Sequence, residues 1–101
     1  PGQIGWTYPL DGDGISGQVE LKGTVKVTNL GYYKVEYTPA EEERWTTIMA
    51  GRVEIENEPF GGLWNSGDLT PGDYRLRLVV FTNREEELPE CSIKVLVKAV
   101  E

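Results

Sequence analysis

Hydrophobic and polar residues alternate along this chain with a period of two, in short runs broken by Gly, Pro, Asn and Asp. That is the mark of half-buried strands, and no stretch carries a helical period for more than about a turn. Ile4–Tyr8 reads as the first strand. The turn-rich segment Pro9-Leu10-Asp11-Gly12-Asp13-Gly14 ends it. From Gln18 to Thr28, Val19, Leu21, Val25 and Val27 share one face, and Gly23 in their midst predicts a bulge or a close packing partner. In Tyr32–Thr38, Tyr33, Val35 and Tyr37 alternate with Tyr32, Lys34 and Glu36, so one side faces a core and the other faces outward.

An acidic loop, Pro39–Arg44, separates this strand from Trp45–Ala50, and a further short strand is expected over Arg52–Glu56. Asn57-Glu58-Pro59 then reads as a break, followed by a glycine-rich strand from Phe60 to Asn65. The strongest alternation is Arg75-Leu76-Arg77-Leu78-Val79-Val80-Phe81. The last strand runs from Cys91 to about Val100, with Cys91, Ile93, Val95 and Val97 on its inner side. Around seven strands in 101 residues specify an all-β fold, an antiparallel two-sheet sandwich forming a single domain over 1–101. The inward set is Val19, Leu21, Val25, Tyr33, Val35, Tyr37, Trp64, Leu69, Tyr74, Leu76, Leu78, Val80, Ile93, Val95 and Val97. The strands beginning at Ile4, Gln18 and Phe60 are expected in one sheet. Those beginning at Tyr32, Arg75 and Cys91 belong in the other, with Trp45–Ala50 beside Tyr32–Thr38.

The segment Leu69-Thr70-Pro71-Gly72-Asp73-Tyr74, leading into the longest alternating run, carries a family likeness. It resembles the corner and following strand of fibronectin type III and bacterial immunoglobulin-like domains. The resemblance implies that Pro71 and Gly72 reverse the chain, Leu69 plugs the core, and Tyr74 packs inward while its hydroxyl bonds nearby backbone. The wider frame, with Pro9-Leu10-Asp11-Gly12, Tyr32-Tyr33-Lys34-Val35-Glu36-Tyr37, Trp45 and Gly62-Leu63-Trp64, looks like modules appended to bacterial envelope enzymes and other secreted proteins. It implies a non-catalytic structural spacer or protein-interaction module of a larger extracytoplasmic bacterial protein, an excised piece whose partners are neighbouring domains of the same polypeptide. A polysaccharide-binding accessory module is the alternative.

Composition narrows the chemistry. A net charge of −7 repels nucleic acid and anionic membrane surfaces, and no apolar run is long enough to insert in a membrane as a helix. With no histidine, a Ser-His-Asp or Cys-His site cannot be assembled, and the lone Cys91 reads as a small buried hydrophobe. No catalytic residue and no cofactor are assigned. Asp11 and Asp13 stand at alternate positions in a Gly-rich loop, as at the start of a calcium loop, but Ile15 occupies the next ligand position, so a plain turn competes with a shared calcium site. Binding to polysaccharide or to another protein falls to the aromatics Tyr32, Trp45 and Trp6, read either as ligand-stacking rings or as covers for sheet edges.

Overall fold

The computed structural model describes residues 3–99. Among them, eight strands form two sheets: β1 (Gln3–Tyr8), β2 (Gly14–Ile15), β3 (Gln18–Lys26), β4 (Leu30–Pro39), β5 (Thr46–Gly51), β6 (Ile55–Asn65), β7 (Gly72–Thr82) and β8 (Cys91–Val97). A single 3₁₀ turn, Ser66–Asp68, is the one helical element among the described residues. The sheets run β1-β3-β6 and β2-β8-β7-β4-β5. This is the sandwich expected from the alternation, with β5 beside β4. Every neighbouring pair is antiparallel except β2 and β8, where Gly14 and Ile15 lie parallel to Leu96 and Val97.

The core is the expected one. Leu21, Val25, Val35, Leu76, Leu78 and Val80 are fully buried, and Trp64, Tyr33, Ile93, Val95 and Val97 join them from both sheets. Tyr37, Leu69 and Cys91 are half-buried against this cluster. Phe60 and Ile15 complete it, although the alternation singles out neither. Phe60 sits in a glycine-flanked stretch and Ile15 in a turn, so both lack apolar neighbours at period two. Gly23 is the reason Phe60 fits. A Cβ there would stand 2.3 Å from Phe60 Cζ and 2.5 Å from the Gly5 carbonyl oxygen, so ring and backbone occupy the space a side chain would take.

The structure departs from the sequence reading in four places. The Asp11–Gly14 region is more than a turn, because β2 forms at its end on the free edge of β8. Arg52–Glu56 is not a strand of its own. Arg52 to Glu54 form an exposed link in which Val53 is 74% accessible, and β6 starts at Ile55. Nor do Asn57, Glu58 and Pro59 break the chain. Asn57 takes φ 52, register shifts against β3 absorb the surplus residues, and Pro59 is tolerated because β6 is an edge strand. Thr24 secures the bulge, its hydroxyl accepting from the Asn57 N–H at 3.0 Å and donating to Asn57 Oδ1 at 3.2 Å. Finally, β3 stops at Lys26 rather than Thr28 and β8 at Val97, while Val100, the expected end of the last strand, lies outside the described residues.

The corner before β7 is closed locally. Gly72 adopts φ 150, where a side chain would be strained, and the Tyr74 hydroxyl donates to the Thr70 carbonyl at 2.7 Å. Leu69 packs beneath it.

Candidate functional site

Register places the chemistry-bearing side chains on one surface, the outer face of the five-stranded sheet. Along β4, Tyr32, Lys34, Glu36 and Thr38 have the parity opposite to buried Tyr33 and Val35. Across β7 they meet Phe81, Val79, Arg77 and Arg75 in that order, and β8 adds Ser92 opposite Arg77 and Lys94 opposite Arg75. At one end the Tyr32 and Phe81 rings stack with centroids 4.8 Å apart and 17° between planes, and Lys34 Nζ stands 5.9 Å from the Phe81 centroid. The other end belongs to Trp45. Its ring centroid lies 4.0 Å from the Arg77 guanidinium carbon and 5.2 Å from that of Arg75. Strand rise puts roughly 20 Å between the Tyr32 and Thr38 ends of this strip.

Glu36 is the unexpected member. Its outward parity predicts a solvated carboxylate, yet the residue is only 5% exposed because its neighbours close over it. Arg77 Nε donates to Glu36 Oε1 at 2.8 Å, and Arg77 Nη2 stands in an ion pair with the same oxygen at 2.8 Å. Glu36 Oε2 accepts from Thr47 Oγ1 at 3.0 Å and pairs with Lys34 Nζ at 3.7 Å. Burial pushes the Glu36 carboxyl up, but the hydrogen bonds from Arg77 and Thr47 and the charges of Arg77 and Lys34 outweigh it and hold it below the usual carboxylate value. Arg77 reaches on to Glu90 at 3.3 Å, and Arg75 Nη2 bonds the Glu43 carboxylate and the Glu42 carbonyl. Beside this network the Thr38 hydroxyl and Arg75 Nε are buried without a hydrogen-bond partner.

Cations and carboxylates interleave on this face, with Lys34, Arg75 and Arg77 paired with Glu36, Glu43 and Glu90. Aromatic at both ends and polar between them, the face has the make-up of a binding surface. Glu36, Glu43 and Glu90 on it are engaged by arginine.

Tyr32 and Trp45 therefore share one surface. Trp6 does not. Its indole N–H donates to the Cys91 carbonyl at 3.0 Å and its ring meets Phe60 edge-on at 5.4 Å, so it ties β1 to β8 and caps the core. Asp11 and Asp13 are both engaged by backbone: Asp11 Oδ1 accepts from Lys94 N–H at 2.8 Å and Asp13 Oδ2 from Leu10 N–H at 2.9 Å. The Asp11 bond pins the β1–β2 connection to β8, and the Asp13 bond closes the turn within it. Among the described residues no three Asp, Glu, Cys or His side chains gather as a metal site. Alternation assigns Arg75, Arg77 and Lys34 to an outer face. It carries no signal that they would converge on Glu36 and Trp45, because that depends on register between distant strands.

No protein-family model matches the chain, and no curated protein matches it by sequence. Solved structures do match. The fibronectin(III)-like modules of Clostridium thermocellum CbhA align over 98% of this chain and 100% of their own, with TM-score 0.66 and 12% identity. The endo-β-1,4-mannanase of Thermotoga petrophila aligns over 99% of this chain with TM-score 0.64 and 17% identity. A family 76 glycoside hydrolase from a bovine Bacteroides thetaiotaomicron strain aligns over 92%, with TM-score 0.51 and 16% identity. This chain covers 20% of each hydrolase. The fold is thus fibronectin type III-like.

Proposed function

We propose that this chain is a non-catalytic spacer and interaction module of a larger extracytoplasmic protein that acts on polysaccharide. The observation that carries the reading is the path of the chain. Gln3 enters beside Lys26, at one end of β3. Val97 leaves beside Ile15 and Gly72, at the Gln18 end of the same strand. Entry and exit lie at opposite ends of a body whose longest dimension is 43 Å. A rigid sandwich threaded end to end holds whatever flanks it apart and in line. Likeness to parts of two glycoside hydrolases, and to modules of a third protein, supports attachment to a carbohydrate-active chain and a place outside the cytoplasm.

The spacer reading is tested with spin labels at Gln3→Cys and Lys98→Cys in a Cys91→Ser background. A single narrow distance comparable to the long axis is expected, and a short or broad distribution would refute it. Release of reducing sugar from mannan, xylan or cellulose by the purified chain would refute the non-catalytic assignment.

A second reading, direct contact with polysaccharide, is favoured by the placement of Tyr32, Phe81 and Trp45 on one face. Flat rings flanked by hydrogen-bonding side chains suit a sugar chain. Retarded migration in gels containing a neutral polysaccharide, lost in Tyr32→Ala and Trp45→Ala, is the expected result. Unretarded migration of the native chain would remove this reading and leave the spacer in place.

A further inference from the structure

The edge of the three-stranded sheet is only half covered. β1 pairs with β3 from Gln3 opposite Lys26 to Tyr8 opposite Lys22. It then leaves the sheet, and the chain returns as β2 on the other one, against β8. β3 continues to Gln18, and its far side remains paired, with Gln18 opposite Asn65 and Val19 opposite Trp64 of β6. Alternate residues of an antiparallel strand turn N–H and C=O toward opposite neighbours. Half of the backbone groups of Gln18–Leu21 therefore point to the side β1 has left. Among the described residues, backbone bonds outside the ladders reach Gly17 but none of these four.

A groove of about 490 Å³ lies along this uncovered length, bounded by Thr7 and Tyr8 above and by Ile15 and Ser16 of the returning chain. Ile15 and Val19 in its lining are buried core residues. Glu20 and Lys22, joined by a 3.6 Å ion pair, mark its outer side.

We propose that this length of β3 is a strand-accepting site for an extended, basic peptide segment of a partner protein. The segment adds below β1 and continues the ladder that β1 already makes on the same edge, at ordinary interstrand spacing. Alternation follows from the groove: apolar side chains turn toward Ile15 and Val19, polar ones outward. A basic segment is selected because the chain carries −7 and draws cations toward it. A second copy bears the same −7 and is repelled, and a sugar chain has no regular row of N–H and C=O to match the edge. This site is separate from the spacer reading and does not depend on it.

The test uses the ¹⁵N-labelled full chain and a capped pentapeptide, Lys-Val-Thr-Val-Lys, beside the same peptide N-methylated at every backbone nitrogen. The N-methylated form keeps charge and side chains but cannot donate to β3. Expected are amide shifts and slowed hydrogen exchange centred on Gln18–Leu21, with affinity roughly tenfold or more weaker for the N-methylated peptide, as the loss of two backbone bonds dictates. Equal response to both peptides, shifts centred instead on Glu41–Glu43 or Glu85–Glu87, or no response at several millimolar peptide would each overturn the proposal.

Discussion

Replacing Arg77 by Met removes the guanidinium that satisfies Glu36 while keeping the aliphatic length that lies under Trp45. In the native protein Glu36 is 5% exposed and takes both of its closest contacts, at 2.8 Å, from Arg77. Thr47 at 3.0 Å and Lys34 at 3.7 Å remain after the substitution. Breaking a buried pair from one side costs about 3–5 kcal/mol when nothing replaces it. With those two partners retained and Arg77 partly solvated, a loss of about 2–3 kcal/mol is expected near neutral pH. The pH dependence identifies the cause. The native Glu36 pKa is lowered, so its contribution is present above the unfolded carboxylate value and is lost as pH falls through the folded one. Without Arg77, burial dominates and the folded pKa rises. The penalty then falls on the ionised form and is relieved as pH drops toward the unfolded value. Urea melts of Arg77→Met and native protein should therefore differ most near neutrality and converge below about pH 4.5. The double change Glu36→Leu with Arg77→Met should be more stable than Arg77→Met alone, since no buried charge is left unpaired. A stability difference that stays constant with pH, or falls under about 0.5 kcal/mol throughout, would refute this account of Glu36.

Three further outcomes are expected. Tyr74→Phe should lower stability by about 1 kcal/mol through loss of the bond to the Thr70 carbonyl, and Trp64→Ala by about 3–5 kcal/mol through the cavity it opens; chemical denaturation with equal effects for both would contradict the placement of these residues. Gly23→Ala should be destabilising by at least about 2 kcal/mol in the same assay, because its Cβ would meet the Phe60 ring and the Gly5 carbonyl, whereas Gly5→Ala, with nothing within 4 Å, should be far milder. Asp11→Ala should cost about 0.5–1.5 kcal/mol by freeing the Lys94 N–H, and calcium should leave the melting temperature of the native protein unchanged; a calcium-dependent rise abolished by Asp11→Ala or Asp13→Ala would instead give the loop a metal-binding role.

Much of this structure is written locally. Period-two alternation assigns Leu76, Leu78 and Val80 to the core and Arg75 and Arg77 to the outside, because a strand's side chains must point to opposite faces. Leu69, Pro71, Gly72 and Tyr74 announce the corner, since the hydroxyl of Tyr74 reaches a carbonyl only four residues back. Where local chemistry misleads, a neighbouring strand has overruled it: Asn57 and Pro59 read as a break, yet β3 holds them in a bulged edge strand.

What alternation determines is which face a residue takes; which residues of other strands it meets is a matter of register. Glu36 and Arg77 both read as outward and solvated, and their union beneath Trp45 follows from strand pairing across 41 positions of sequence. The same holds for β2, too short at two residues to carry a periodic signal, whose pairing exists because β8 presents a free edge. The uncovered half of β3 follows in turn, for once the chain has left to form β2 it is no longer there to pair with Gln18–Leu21. Sequence alone determined a two-sheet sandwich and its core, because burial parity is local. The aromatic face, the buried carboxylate and the open edge were decided by tertiary structure, because each depends on partners that only the fold brings together.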